Sequence, residues 1–202
     1  EDRDVYSVYV DGEYEFTDSL LVSAAVRYDD YDDFGDTTNF KVAGNWAITD
    51  SVRLRASVST GFRAPSMQQQ YFNNISTQFV PNPDDPEGPQ ISSQVGTFRN
   101  DGELAQAIGI PSLKEETSNN YSAGFVWNPL DQMSITFDYY YIEIDDRIVI
   151  SDQLTADDDP SGNLGDALRV VGASSGQFFL NGADTETKGF DLIMTYAGIE
   201  IF

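Results

Sequence analysis

Ser51-Val52-Arg53-Leu54-Arg55-Ala56-Ser57-Val58-Ser59-Thr60-Gly61-Phe62-Arg63 alternates between two kinds of side chain. Val52, Leu54, Ala56, Val58 and Phe62 fall on one face; Arg53, Arg55, Ser57, Ser59 and Arg63 fall on the other. A period of two marks a β-strand whose faces meet different surroundings. The charges lie mid-strand. An Arg against hydrocarbon near a bilayer midplane costs roughly 2–4 kcal/mol. If the apolar face meets lipid, Arg53 and Arg55 must face a wet or protein-filled lumen.

The same rule runs through the chain. Tyr6, Val8, Val10, Tyr14 and Phe16 oppose Asp11, Glu13 and Glu15. Leu20, Val22, Ala24, Val26 and Tyr28 oppose Ser23, Ala25 and Arg27. Phe40, Val42, Trp46 and Ile48 oppose Lys41, Ala43 and Asn45. Tyr121, Ala123, Phe125 and Trp127 share a face, as do Met133, Ile135, Phe137, Tyr139 and Tyr141, which oppose Ser134, Thr136 and Asp138. Phe190, Leu192, Met194 and Tyr196 oppose Asp191. The reading is all-β, with about seven strands.

Connections alternate in length. Thr17-Asp18-Ser19, Thr49-Asp50 and Asn128-Pro129-Leu130-Asp131 are tight turns of turn-forming residues. Asp29 to Thr37, about Ala64 to Glu116 and about Ile150 to Leu180 are longer links. Short turns at one end and long loops at the other fit an antiparallel transmembrane β-barrel wall, with periplasmic turns and extracellular loops. A soluble adhesin-like β-sandwich also alternates. Three features favour the barrel. The strands run about ten residues, against about five or six in globular proteins. Aromatics gather near both strand ends: Tyr14, Phe16, Trp46 and Trp127 at the short turns, Tyr28, Phe40, Tyr121, Tyr139 and Tyr141 toward the long links. Such rings prefer membrane interfaces. The third feature is the charge in mid-strand at Arg53, Arg55 and Asp138.

Composition excludes other classes. Eleven Lys and Arg against 34 Asp and Glu give a net charge of −23, unsuited to binding nucleic acid. With 13% aromatic residues the chain is not an acidic disordered segment. It has neither Cys nor His, so thiolate metal sites and imidazole bases are excluded within it. No apolar run approaches the roughly 18 residues of a membrane helix, which leaves β-barrels open.

Four strings resemble the TonB-dependent outer-membrane receptor family, in its C-terminal barrel part. They are Ser59-Thr60-Gly61-Phe62-Arg63-Ala64-Pro65-Ser66, Leu113 to Phe125, Phe137 to Ile148, and Asn181 to Asp191. Together they span most of the chain. The resemblance implies a plugged barrel of about twenty-two strands. On that basis residues 1–202 are expected to be a partial barrel domain, cut at both ends and without the plug. The implied function is energy-coupled uptake of a scarce ligand by a receptor in the bacterial outer membrane, a ferric siderophore first, an oligosaccharide or cobalamin otherwise. The implied partners are a TonB-type energy-coupling protein acting through the plug, outer-membrane lipid and lipopolysaccharide, and the small-molecule ligand. No enzyme activity and no cofactor are expected. Rival readings are a passive porin, a soluble sandwich, or a barrel enzyme whose catalytic residues lie elsewhere.

Candidate site residues fall in two groups. Arg53, Arg55, Arg63 and Asp138 are expected to face lumen or plug, Arg63 alternatively reaching a polar rim. Tyr71, Phe72, Asn73, Asn74, Phe98 and Phe178 are candidates for ligand contact, with packing of loop on loop an equal alternative. The acidic tracts Asp29 to Asp36, Asp84 to Glu87 and Asp157 to Asp159 fit no complete EF-hand loop and read as solvated loops rather than Ca²⁺ sites. Leu104 to Gly109 reads as a helical turn in the longest link, stopped by Gly109 and Pro111.

Overall fold

A computed structural model describes residues 2–82, 85 and 87–198. Nine strands occur among the described residues: β1 (Val5–Thr17), β2 (Leu20–Tyr31), β3 (Gly35–Thr49), β4 (Val52–Arg63), β5 (Asn74–Val80), β6 (Ile91–Phe98), β7 (Glu116–Leu130), β8 (Met133–Ile150) and β9 (Ser175–Tyr196). Three short helices accompany them: α1 (Met67–Tyr71), α2 (Glu103–Ala107) and α3 (Asn163–Val171). The chain divides into two compact units. One holds the described residues of 1–63, 117–145 and 184–202, the other those of 64–116 and 146–183.

The first unit is a sheet in the order β1-β2-β3-β4-β7-β8-β9. Register keeps like with like. Val10 stands opposite Val26, which stands opposite Phe40; Leu20 opposite Trp46, and Trp46 opposite Leu54; Phe125 opposite Phe137. Directly opposed residues project from the same face, so each strand's apolar phase joins its neighbour's. Rings continue the pattern: Phe125 stacks on Phe137 at 5.7 Å and Phe137 on Phe190 at 6.1 Å between centroids. Among the described residues of this unit no apolar side chain is buried. Val10 is 72% exposed and Phe190 71%.

Two turns use one device. Thr17 Oγ1 accepts from the amides of Ser19 and Leu20, at 3.3 and 3.1 Å; Thr49 Oγ1 accepts from those of Ser51 and Val52, at 3.3 and 3.0 Å. A Thr-Asp-Ser triplet thus ties the last carbonyl-side residue of one strand to the first of the next. At the third turn the β7–β8 register slips between Trp127 and Leu130, around Pro129, which has no amide to donate.

The link expected over Asp29 to Thr37 is shorter than its composition implies. β2 continues to Tyr31 and β3 starts at Gly35, which leaves a turn at Asp32-Asp33-Phe34. Gly35 adopts φ of 109°, which only glycine enters easily. Two carboxylates of this turn take partners locally, although the second oxygen of Asp33 is buried without one. Asp33 accepts two bonds from the Arg3 guanidinium, at 2.8 and 2.6 Å, and Asp32 accepts from the Asp4 amide at 3.2 Å.

The second unit also departs from expectation, because the two longest links are folded. β5 and β6 pair antiparallel, from Asn74 opposite Thr97 to Val80 opposite Ile91. β6 then pairs in parallel with the start of β9, from Val95–Ser175 to Phe98–Phe178. The strand expected after a link ending near Leu180 therefore begins earlier, at Ser175. α2 falls on the expected helical turn, and the chain leaves it at Gly109 with φ of 74°. This unit has the core that the first lacks: Phe98, Leu104, Ala105, Leu164, Leu168 and Phe178 are buried together. Leu164 and Leu168 lie one turn apart on α3 and so share its inner face.

Polar side chains pin the surrounding backbone. Asn181 donates to the carbonyls of Lys114 and Asp146, at 3.0 and 2.7 Å, and accepts from the Lys114 amide at 3.0 Å. Asp146 has a left-handed φ of 57°, which Asp tolerates better than most residues. Buried Glu116 accepts from the Ile148 amide at 2.7 Å. Truncating Phe178, the fully buried ring of this core, should cost about 3–5 kcal/mol. Limited proteolysis of the full-length Phe178→Ala protein is expected to cut first within 64–116 and 146–183; a cleavage pattern equal to that of the parent would contradict the assignment of this core.

Candidate functional site

On the polar face of the first unit, Arg55 and Asp138 meet across an intervening strand. Arg55 belongs to β4 and Asp138 to β8, with β7 between them in the sheet order. Two strand spacings amount to roughly 9–10 Å, so both side chains must lie flat over β7. Gly124 makes that path, because it stands directly opposite Asp138. A Cβ at Gly124 would lie 2.1 Å from the Asp138 carboxylate and 2.4 Å from the Phe137 carbonyl oxygen. Over this bare backbone the Arg55 Nε donates to Asp138 at 2.7 Å, and Nη2 donates to the second carboxylate oxygen. Beside the pair, the Ser57 and Ser122 hydroxyls bond at 2.8 Å. The structure thus joins two of the four residues expected on this face. Arg53 lies two residues from Arg55 on the same face of β4, and Arg63 ends the strand.

At the end of β2 a second polar knot forms. Asp29 is fully buried and accepts from Arg27, at 2.7 to 2.9 Å, and from the Ser7 hydroxyl on β1. It belongs to one of the acidic tracts, yet its carboxylate is occupied inside the wall.

The six loop candidates separate by burial. Phe98 and Phe178 sit in the core of the second unit, their rings 6.0 Å apart, and serve loop packing rather than an open surface. Tyr71 closes α1, a single turn started by Ser66, whose hydroxyl and Gln69 form a reciprocal cap. Phe72 follows, 45% exposed, and Asn73 and Asn74 are exposed where β5 begins. The Arg99 guanidinium lies 5.1 Å from the centre of the Tyr71 ring, within cation–π reach. Arg99 also forms an ion pair with Asp101 and holds that carboxyl below its usual range.

The acidic tract near α3 turns inward on its own backbone. Asp159 accepts from the Ser161 hydroxyl and from the amides of Ser161 and Leu164, which lowers its pKa and caps the helix start. Asp158 accepts from the Thr155 amide and hydroxyl and is lowered likewise. Asp84 lies outside the described residues. Among the described residues no three acidic side chains gather as a metal-ligand set.

Sequence reasoning missed the roles of Gly124, Glu116 and Asn181. A glycine inside an otherwise regular strand was the available signal, since it often marks close approach by another group. Asn100 is 4% exposed and donates to the carbonyls of Pro111 and Phe179, at 3.0 and 2.6 Å. It belongs to the scaffold, not to an exposed surface.

Comparison with known proteins follows this geometry. The sequence matches the family described as TonB dependent receptor-like, beta-barrel, over residues 1–199. The structure is similar to the siderophore receptor PirA from Acinetobacter baumannii, with a TM-score of 0.68 and 18% identity over 96% of this chain and 26% of that one. It is similar to PirA from Pseudomonas aeruginosa, with a TM-score of 0.66 and 15% identity over 94% of this chain and 30% of that one. The ferric enterobactin receptor PfeA from Pseudomonas aeruginosa, solved as a mutant with enterobactin, gives a TM-score of 0.67 and 18% identity, over 94% of this chain and 24% of that one. The chain spans under a third of the length of each of these structures.

The Arg55–Asp138 pair is partly exposed, and such pairs contribute about 0–1 kcal/mol. Overpacking at Gly124 costs more, about 1–3 kcal/mol. Gly124→Ala is therefore expected to lower the thermal midpoint of the full-length protein more than Arg55→Ala does. Adding Asp138→Ala should recover part of the loss; additive losses in that double-mutant cycle would remove Asp138 from the account.

Proposed function

The chain belongs to the TonB dependent receptor-like β-barrel family, and from that premise we propose that it is part of the barrel wall of an outer-membrane receptor for energy-coupled uptake, with a ferric siderophore as cargo. One observation carries the membrane placement: the described apolar side chains of the first unit are exposed or half-buried, and they line up across the strand pairs of one face. Exposed apolar patches of more than a few hundred Å² mark a membrane or protein interface. On this reading hydrocarbon meets the phase of Leu54, Phe125 and Phe190. The opposite phase, with Arg53, Arg55, Arg63 and Asp138, faces the lumen. The short turns are periplasmic and the second unit is extracellular.

Residues 64–116 and 146–183 supply the outer surface. Within it Tyr71, Phe72, Asn73 and Asn74 offer aromatic faces and amides, with Arg99, already paired with Asp101, over the Tyr71 ring. Aromatic faces with amide donors suit an iron chelate. The similar structures include siderophore receptors and a ferric enterobactin receptor, which supports this cargo over a sugar or cobalamin. The rest of the polypeptide supplies a plug through which a TonB-type protein delivers energy.

Two experiments test the proposal. A strain lacking the full-length gene should lose uptake of one radiolabelled ferric siderophore, and a protonophore should abolish that uptake in the parent; uptake unaffected by either treatment would overturn it. In the full-length protein Leu54→Arg, placed against lipid, should lose about 2–4 kcal/mol and fail to assemble, whereas Ser57→Arg should yield heat-modifiable barrel. Equal yields would contradict the facing.

A further inference from the structure

The second unit offers rings and amides but no spare positive charge. Phe72 and Phe79 are exposed, as are Asn73 and Asn74. No charged residue occurs from Ala64 to Pro83, in a chain of net charge −23. Around this neutral run the charge is one-sided: residues 64–116 and 146–183 hold thirteen Asp and Glu against four Lys and Arg. Each of those four cations is engaged. Arg99 pairs with Asp101, Lys114 with Asp146 at 2.7 Å and Arg169 with Asp166 at 2.9 Å, and Arg147 also has a partner. Arg99 is the cation at the candidate surface, 5.1 Å from the centre of the Tyr71 ring. Its Nε and Nη2 both donate to the Asp101 carboxylate, Nη2 at 2.6 Å. The guanidinium holds that carboxyl below its usual range, so the pair stays ionised at neutral pH. Opposite charges in contact cancel for a ligand approaching from beyond the Debye length of about 8 Å. The remaining carboxylates do not cancel, and they repel an anion.

The inference rests on the reading of the chain as part of an iron-chelate receptor, and it narrows the cargo. Ferric chelates differ in charge as well as in shape. Catecholate dianions, three to each Fe³⁺, leave a trianion, whereas three hydroxamate monoanions leave no net charge. We propose that the cargo is a ferric chelate without net negative charge, of the trishydroxamate kind, and that Asp101 sets this preference by cancelling Arg99. Rings and amides suit the apolar linkers and amide groups of such a chelate, and it asks for no counter-ion. A trianion in the same place would be desolvated against paired cations and a surplus of carboxylates, which is costly.

Binding of radiolabelled ferric chelates to the full-length protein in outer-membrane vesicles tests the preference. The probes are uncharged linear and cyclic trishydroxamates, the same compounds bearing an appended carboxylate, and a tris(catecholate). An uncharged probe should bind about tenfold or more tightly than either kind of anion, the lower end of the range over which charge alters association. Added salt should narrow that gap, because it screens the repulsion of the anions and leaves the neutral chelate untouched. Asp101→Asn should narrow it severalfold. Asp166→Asn, which removes the same charge beside Arg169, should narrow it less. The proposal is overturned if the tris(catecholate) binds as tightly as the uncharged probes, if the appended carboxylate makes no difference, or if Asp101→Asn moves the gap no further than Asp166→Asn. Failure of every chelate to bind would instead refute the iron-chelate reading beneath it.

Discussion

Strand pairing sets the terms for everything else in the first unit. Main-chain donors and acceptors are spent on neighbouring strands, so side chains alone meet the surroundings, and they do so with a period of two. A slip of one residue would send Leu54 to the polar side and Arg55 to the apolar side. The observed register avoids this at β1–β2, β2–β3, β3–β4 and β7–β8, where Val10 meets Val26, Val26 meets Phe40, Trp46 meets Leu54 and Phe125 meets Phe137. Thr17 and Thr49 help to fix it, because each holds the first amides of the next strand. The cost of leaving so much apolar surface outside is large in water, at about 25 cal/mol per Å². A hydrocarbon medium removes that cost, which is why pairing and environment stand or fall together.

The second unit solves a different problem. Long connections carry main-chain groups that need partners and apolar groups that need cover. Here the parallel contact between β6 and β9 and the cluster of Phe98, Leu104, Leu164, Leu168 and Phe178 provide both. Asn181 and Glu116 then hold the backbone where β8 turns through Asp146. A scaffold of this kind can present Phe72, Asn73 and Asn74 at its surface, whereas Phe98 and Phe178 are consumed by its packing and Tyr71 is covered in part by Arg99.

The wall was legible because alternation is local: Val52 to Arg63 shows it with no knowledge of partners. The folded links were not. β5 and β6 mix Ile75, Phe79 and Val95 with Ser, Thr and Gln in a weak pattern, and β6 finds its parallel partner about 80 residues away. Burial depends on such distant partners, so Phe98 and Phe178 looked as available to a ligand as Phe72. The acidic tracts misled in a similar way. Asp29, Asp33 and Asp159 read as solvated charge, but Arg27, Arg3 and the start of α3 each take one up. Gly124 gave a faint signal whose meaning needed Arg55 and Asp138 on either side of it.

The central claim is that one phase of each strand touches hydrocarbon. Site-directed spin labelling along Val52 to Ser59 in the full-length protein, reconstituted in a bilayer, tests it most directly. Collision with dissolved oxygen is expected to vary with a period of two, with maxima at 52, 54, 56 and 58 and minima at 53, 55, 57 and 59. A flat profile, or maxima at the odd positions, would contradict it.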